Sequence, residues 1–290
     1  MIRDLIKLAR PDQWLKNGII FAPLVFAGEL QVPGLLLRAT IAAALFCLLS
    51  SAVYIFNDLI DRDKDRQHPM KKDRPLASGR IGAGPAVAVG VALALVGLAG
   101  SWWLNTPMLI AAGSFLVLNF LYSLALKEVV IVDAMSVGIS FVIRAIAGAL
   151  AVGVPASKWL LINTLLLALF LSFGKRRHEL VLLEGDAASH RKILSRYSPY
   201  LLDQCIGVTT ASVVVMYMLY SFSTEVSEKL GTENLFVTIP FVVYGVFRYL
   251  YLIHKEEKGG SPTKVMITDR PILIDILLWM LAVLIVLYWL

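Results

Sequence analysis

Asp58, Asp61 and Asp65 stand at i, i+3 and i+7 in the stretch NDLIDRDKDRQHPMKKDRPLASG, Asn57 to Gly79. At about 100° per residue, that spacing places the three carboxylates within roughly 60° of one helix face, with Asp63 pointing the other way. Three convergent carboxylates repel one another unless a cation lies between them. Hard oxygen ligands of this kind suit Mg²⁺, which keeps several waters and commonly also holds substrate phosphates. Lys71, Lys72, Arg74 and Arg80 follow directly and would face the same phosphates. The competing reading is a solvated helix end of mixed charge. It fits poorly with an acidic triad that closes a membrane-depth segment, where charge is costly.

Three further constellations carry charge at helix ends. Tyr122, Ser123, Lys127 and Asp133 bracket a tight connection. On the helix that follows, Asp133, Ser140 and Arg144 fall within about 40° of one another, and Arg144 lies inside the hydrocarbon depth. An arginine there must pair or line a wet cavity. Asp133 is a poor partner for it, because eleven residues of helix separate the two by about 16 Å; a partner on another helix is the structural alternative. The block FGKRRHEL, Phe173 to Leu180, places Lys175, Arg176, Arg177 and Glu179 at the end of an apolar helix, where ordinary membrane-flanking charge is the bland alternative. In TDRP, Thr268 to Pro271, Asp269 reads as a helix cap with Pro271 in the first turn, and Arg270 as a candidate contact. Lys16 and Asn17 stand beside Trp14 at the mouth of the first apolar run, with interfacial snorkelling as the alternative for Lys16. His68, His178, His190 and His254 are scattered without metal-ligand spacing, so zinc is not expected. No Walker A loop and no GxSxG elbow occurs.

The elements that must position these residues are membrane helices. Of the 290 residues, 58% are hydrophobic and only 17% charged, and the mean hydropathy is +0.74. That composition lies outside the soluble globular class. Apolar runs predict an all-α polytopic protein with nine spans, near 15–34, 38–59, 84–104, 107–126, 129–151, 158–174, 201–222, 235–253 and 271–290. A cytoplasmic N-terminus puts 22 of the 27 Lys and Arg residues on the inner side, so the expected orientation is N-in and C-out. Trp102, Trp103, Trp159 and Trp289 then fall at outer helix ends as lipid-interface anchors. The segments 60–83, 175–200 and 254–270 are the expected cytoplasmic loops of the site, within one domain covering 1–290. The charge of +6 reflects this asymmetry, so no nucleic-acid partner is expected. Cys47 and Cys205 read as small packing residues without a disulfide. The first apolar run lacks a small-residue cleavage site, so no removed signal peptide is expected.

A Mg²⁺ triad ringed by bases at the inner mouth of a membrane cavity suits a diphosphate leaving group and a lipid co-substrate. In its motifs the chain resembles the UbiA superfamily of membrane prenyltransferases. The resemblance rests on NDxxDxxxD at Asn57, Asp58, Asp61 and Asp65 and on RPLASG at Arg74 to Gly79. It implies nine helices around a central cavity open to the bilayer. QWLKN at Gln13 to Asn17, YSLALK at Tyr122 to Lys127 and FGKRRHEL are similar to the decaprenyl-phosphate phosphoribosyltransferase branch. That branch moves 5-phosphoribose from 5-phosphoribosyl 1-diphosphate to a polyprenyl phosphate. The family's second Asp-rich motif, near the end of helix six, is replaced here by Lys175, Arg176, Arg177 and Glu179, which fits a donor with an extra monophosphate. The resemblance implies Mg²⁺ on Asp58, Asp61 and Asp65. For that reaction Lys16, Lys72, Arg74, Lys127 and Lys175 to Arg177 are the expected phosphate contacts, with Asn17, Asn57, Tyr122, Arg144 and Arg270 as further candidate contacts and Asp133 as a candidate to stabilise an oxocarbenium-like sugar. The expected location is the inner membrane. A prenyltransferase acting on an aromatic or lipid acceptor is the nearest alternative; a transporter or lipid scramblase is the alternative from another class, although the two-half repeat it calls for is not seen.

Overall fold

Proline at the first or second position opens five of the eight long helices, and in four of those a polar residue precedes the helix. The computed structural model describes residues 2–67, 71–182, 192–256 and 259–289, which contain helices and no strand. His68 and His190 lie outside the described residues, as do parts of all three expected loops. In chain order the α-helices are α1 Ile2–Ala9, α2 Ala22–Phe26, α3 Pro33–Ile60, α4 Arg62–Gln67, α5 Ala83–Leu104, α6 Thr106–Leu124 and α7 Val132–Val152. They continue with α8 Lys158–Leu182, α9 Pro199–Ser221, α10 Thr224–Leu230, α11 Ile239–His254, α12 Pro262–Thr268 and α13 Arg270–Tyr288. Asn105 caps α6 by accepting from the Met108 amide at 2.7 Å. Ser198 does the same for α9, accepting from Leu201 at 3.1 Å, and Asp269 for α13, accepting from Ile272 at 3.1 Å. Each bond satisfies an amide that the first helical turn leaves open.

Among the described residues, eight helical runs are long and apolar enough to cross a membrane. They match eight of the nine expected spans. The first expected span, 15–34, is built differently: a 3₁₀ helix, Pro11–Phe21, runs directly into α2. Three residues per turn line up positions i, i+3 and i+6. Trp14, Asn17 and Ile20 therefore form one row, and Asn17 and Ile20 are buried.

Contact clustering divides the chain into two compact units, Met1–Pro23 with Val32–Ala156, and Leu24–Gln31 with Ser157–Leu290. In the first, Ile20, Phe46, Leu49, Met108, Phe115 and Ala147 form the apolar core. The small residues of α5 let it lie close on α3, as the Ala/Gly run predicts: a Cβ at Gly97 would stand 2.6 Å from the Leu49 side chain. Gly148 of α7 is tighter still, since a Cβ there would collide with the Ile20 carbonyl. That glycine lets the 3₁₀ row reach α7.

In the second unit, α8 pairs with α9 and α11 with α13. Tyr217 Oη and Thr238 Oγ1 are 2.7 Å apart, and Trp279 Nε1 donates to Tyr217 Oη at 3.0 Å. The polar ends of Tyr217 and Trp279 thus find partners while their rings pack, as burial favours. Trp102, Trp103 and Trp289 are exposed, in keeping with a lipid-facing belt. Trp159 departs from that expectation: its ring packs 6.2 Å from Tyr220, in the core of this unit.

Candidate active site

One stripe of α3 organises the polar side chains of the first unit. Asp61, Asp58, Tyr54, Ser51 and Cys47 follow a 3-4-3-4 spacing, which keeps them on one helix face. At the acidic end, Asp61 Oδ1 accepts from Lys127 Nζ at 2.7 Å. Asp58 Oδ1 accepts from Arg10 Nη2 at 2.5 Å and from Arg74 Nη1 at 3.0 Å. The same Arg74 Nη1 reaches Asp65 Oδ2 at 2.5 Å, and Lys71 Nζ stands 4.0 Å from Asp65 Oδ1. Asp58 and Asp65 are almost fully buried. Buried carboxylates need such partners, because desolvation otherwise opposes their charge.

The three acids do not share the single helix face that their spacing predicts. Helix α3 ends at Ile60 with Asp61 as its cap, and Asp65 lies on the separate α4. The break leaves Asp58 and Asp65 facing one guanidinium while Asp61 turns to Lys127. No group of three or more acidic, histidine or cysteine side chains is close enough to hold a metal among the described residues. The pair Asp58 and Asp65 nevertheless fits a hard divalent ion. Both place a carboxylate oxygen within 3.0 Å of one positive atom, and Mg²⁺ commonly takes one or two protein carboxylates plus waters and phosphates.

Arg74 is aimed at these acids by the turn that carries it. Leu76 and Ile81 bury against Leu8, Ile55 and Ala86, and Ser78 Oγ donates to the Arg74 carbonyl at 2.8 Å. Gly79, at φ 77°, reverses the chain in a conformation that residues with a Cβ avoid. Arg66 Nε closes the turn by donating to the Ala77 carbonyl at 3.0 Å. So RPLASG is an apolar anchor with one arginine turned back toward α3.

Further along the stripe the chemistry changes. Arg10 and Lys16 approach the ring of Tyr54 at 5.1 and 5.9 Å, and Lys16 Nζ donates to Tyr54 Oη at 3.4 Å. Trp14 Nε1 donates to Ser51 Oγ at 3.0 Å. Arg144 is buried. Its Nε donates to Asn17 Oδ1 at 2.8 Å, and its Nη1 to the Ser140 carbonyl at 3.0 Å and hydroxyl at 2.9 Å. The guanidinium lies over the Phe115 ring at 4.5 Å. Arg144 thus pairs with Asn17, a partner on another element, and Asp133 plays no part.

Asp133 is fully buried in the first turn of α7. Tyr122 and Asn57 are half-buried on the same unit. Lys72 is exposed and makes no ion pair among the described residues. Sequence reasoning missed Arg10 and Tyr54. The signals were a basic residue directly before Pro11 and a tyrosine one helical turn ahead of Asp58.

In the second unit the basic block has acidic partners. Arg176 Nη1 lies 2.9 Å from Glu179 Oε2, Lys175 Nζ 3.7 Å from Glu179 Oε1, and Arg177 Nε 2.5 Å from Asp203 Oδ1 on α9. Asp269 caps α13 as expected and also takes Arg248 Nη2 at 2.9 Å. Arg270 is exposed without an ion pair among the described residues. Cys47 and Cys205 are free thiols, as expected.

Residues 18–269 match the sequence model of the UbiA prenyltransferase family. The chain is 32% identical to decaprenyl-phosphate phosphoribosyltransferase of Mycolicibacterium smegmatis, across 96% of this chain and 91% of that protein. It is 30% identical to the protein of the same name from Corynebacterium glutamicum, across 98% and 86%. Among solved structures, a UbiA homolog from Archaeoglobus fulgidus bound to GPP and Mg²⁺ superimposes with a TM-score of 0.73 at 17% identity, covering 98% of this chain and 99% of that one. A match over most of the chain, with relatives at this identity along nearly its whole length, makes the protein a member of the UbiA prenyltransferase family.

Proposed function

We propose that the protein transfers 5-phosphoribose from 5-phosphoribosyl 1-diphosphate to a long-chain polyprenyl phosphate, with Mg²⁺, and releases diphosphate. The observation that carries this reading is near-full-length similarity to decaprenyl-phosphate phosphoribosyltransferases. The family match runs across both compact units, which supports one catalytic domain. The excess of basic residues on one side of the predicted spans supports an inner-membrane protein with its site facing the cytoplasm.

An oxygen of the lipid phosphate attacks C1 of the ribose. The bond from C1 to the diphosphate oxygen breaks, and its electron pair leaves with the diphosphate. The nucleophile is already an anion, so no strong general base is needed. Asp58 and Asp65 would hold Mg²⁺, with Asp61 beside them, and the ion would neutralise charge on the departing diphosphate. Arg74 and Arg10 release the carboxylates and take diphosphate oxygens, for which a guanidinium is well shaped. Lys127 holds Asp61 in place. Lys72, exposed and without an ion pair among the described residues, is available to the donor.

The test uses purified protein, Mg²⁺, decaprenyl phosphate and radiolabelled 5-phosphoribosyl 1-diphosphate, following label into the organic phase. Mg²⁺-dependent labelling of the lipid is the expected result. No labelling, with consumption of a prenyl diphosphate in the presence of an aromatic acceptor, overturns it. The family match is the observation favouring that second reading, a prenyltransferase.

A further inference from the structure

In the second unit a satisfied polar cluster lies two helical turns from an unsatisfied one. Tyr217 of α9, Thr238 just ahead of α11 and Trp279 of α13 bond to one another. Contacts of Tyr217 with Thr238 and of Asp203 with His254 run α9 antiparallel to α11. Those of Arg248 with Asp269 and of Gly245 with Asp275 run α13 antiparallel to α11 as well. Thr210 stands seven residues before Tyr217 and Gly245 seven after Thr238. Two turns keep each on its seam, so both lie about 10 Å from the satisfied cluster, at one level. Asp275 joins them from α13, since a Cβ at Gly245 would stand 2.7 Å from its Oδ2. Tyr249 is one turn past Gly245, and a helical side chain leans toward its own N-terminus, which brings the hydroxyl back to that level.

All three side chains are buried, with exposures of 8% for Asp275, 7% for Thr210 and 3% for Tyr249. Thr210 Oγ1 and Tyr249 Oη have no hydrogen-bond partner among the described residues. No hydrogen bond or charge from those residues acts on Asp275, which lies inside an apolar span. A carboxylate at that depth is costly unless a counter-charge meets it, and the two hydroxyls add the cost of unmade hydrogen bonds. We propose that Asp275, Tyr249 and Thr210 bind a monovalent cation, such as Na⁺, between α9, α11 and α13. Three oxygens, with no nitrogen or sulfur, suit a hard cation. One carboxylate balances one positive charge; a second charge on the ion would stay uncompensated within the span. Gly245 belongs to the site, because a side chain there would take the place of the Asp275 carboxyl.

The experiment uses the full-length protein in detergent, without Mg²⁺ or substrate. Radiolabelled sodium measures binding, and thermal unfolding is compared in sodium chloride and in choline chloride of equal ionic strength. Wild type is expected to bind sodium. At about ten times the dissociation constant it should melt about 2 °C or more higher in the sodium salt, because an ion held only by the folded state stabilises it. Asp275→Asn is expected to lose both the binding and the difference between the salts. Tyr249→Phe and Thr210→Val should each weaken sodium binding by about threefold to tenfold, the worth of one oxygen contact, while melting no lower than wild type in choline chloride. Hydroxyls with a purely structural role would leave sodium binding unchanged. Both variants keep the carboxylate, so they carry the test if Asp275→Asn does not fold. Wild type that binds no sodium and melts alike in the two salts overturns the proposal. Sodium binding that persists in folded Asp275→Asn, or that neither hydroxyl variant weakens, overturns it as well.

Discussion

Lys127 Nζ lies 2.7 Å from Asp61 Oδ1, joining the connection after α6 to the end of α3 across 66 residues of sequence. Both side chains are partly exposed, at 12% and 21%, so the pair contributes little to stability, about 1 kcal/mol or less. Its effect is on where Asp61 points. Lys127→Met is expected to leave the unfolding temperature nearly unchanged and to lower kcat/KM for phosphoribosyl transfer by about tenfold or more. Steady-state kinetics beside a thermal melt checks this; unchanged kinetics would remove Lys127 from the site.

Asp58 is buried between two guanidinium groups. Replacing it with alanine removes the charge and leaves Arg10 and Arg74 facing each other, a loss of about 1–3 kcal/mol given that both arginines remain partly exposed. Asp58→Asn keeps the shape and one acceptor and should cost less. Turnover is expected to vanish in both, and in Asp61→Ala, while the protein still folds. Near-normal transfer by Asp58→Asn would sink the metal assignment.

Arg74 occupies the position a cation would take between Asp58 and Asp65. An arginine that competes with the metal and then binds phosphate makes opposite contributions to two measurable quantities. Arg74→Ala is expected to lower the Mg²⁺ concentration needed for half-maximal binding and to raise KM for the diphosphate donor. Metal binding followed without donor, and donor kinetics at saturating Mg²⁺, separate the two. Chelation of Mg²⁺ should abolish transfer by wild type, and its readdition should restore it.

The helices and the acidic motif were readable from sequence because apolar runs of span length and the spacing of Asp58, Asp61 and Asp65 are local signals. What the spacing could not reveal was the break at Asp61, since a helix end is decided by what Lys127 and Arg74 offer from distant segments. The winding of the first span was not legible for a related reason. Its composition is that of a membrane helix, and the 3₁₀ winding follows from contacts of Asn17 with Cys47, Ser50 and Arg144, none of which a sequence window contains. Arg10 was passed over because its acid partner lies 48 residues away. The basic block after α8 was legible as charge. That Glu179 and Asp203 neutralise much of it was not.

Gly148 offers a test of the 3₁₀ segment that leaves every charged residue in place. Its Cα faces the Ile20 backbone so closely that a Cβ would overlap the carbonyl oxygen. A backbone atom cannot rotate away as a side chain does, so Gly148→Ala must push the 3₁₀ row off α7. Overpacking of this kind costs about 1–3 kcal/mol, and the displaced row carries Asn17, the acceptor for Arg144 Nε. The expected outcome is a lower unfolding temperature together with reduced transfer, although residue 148 touches no substrate. Gly113, with open space around the same construction, is the control, since Gly113→Ala should melt at or above wild type. Equal melting temperatures for the two variants would show that the 3₁₀ segment does not sit against α7 as described.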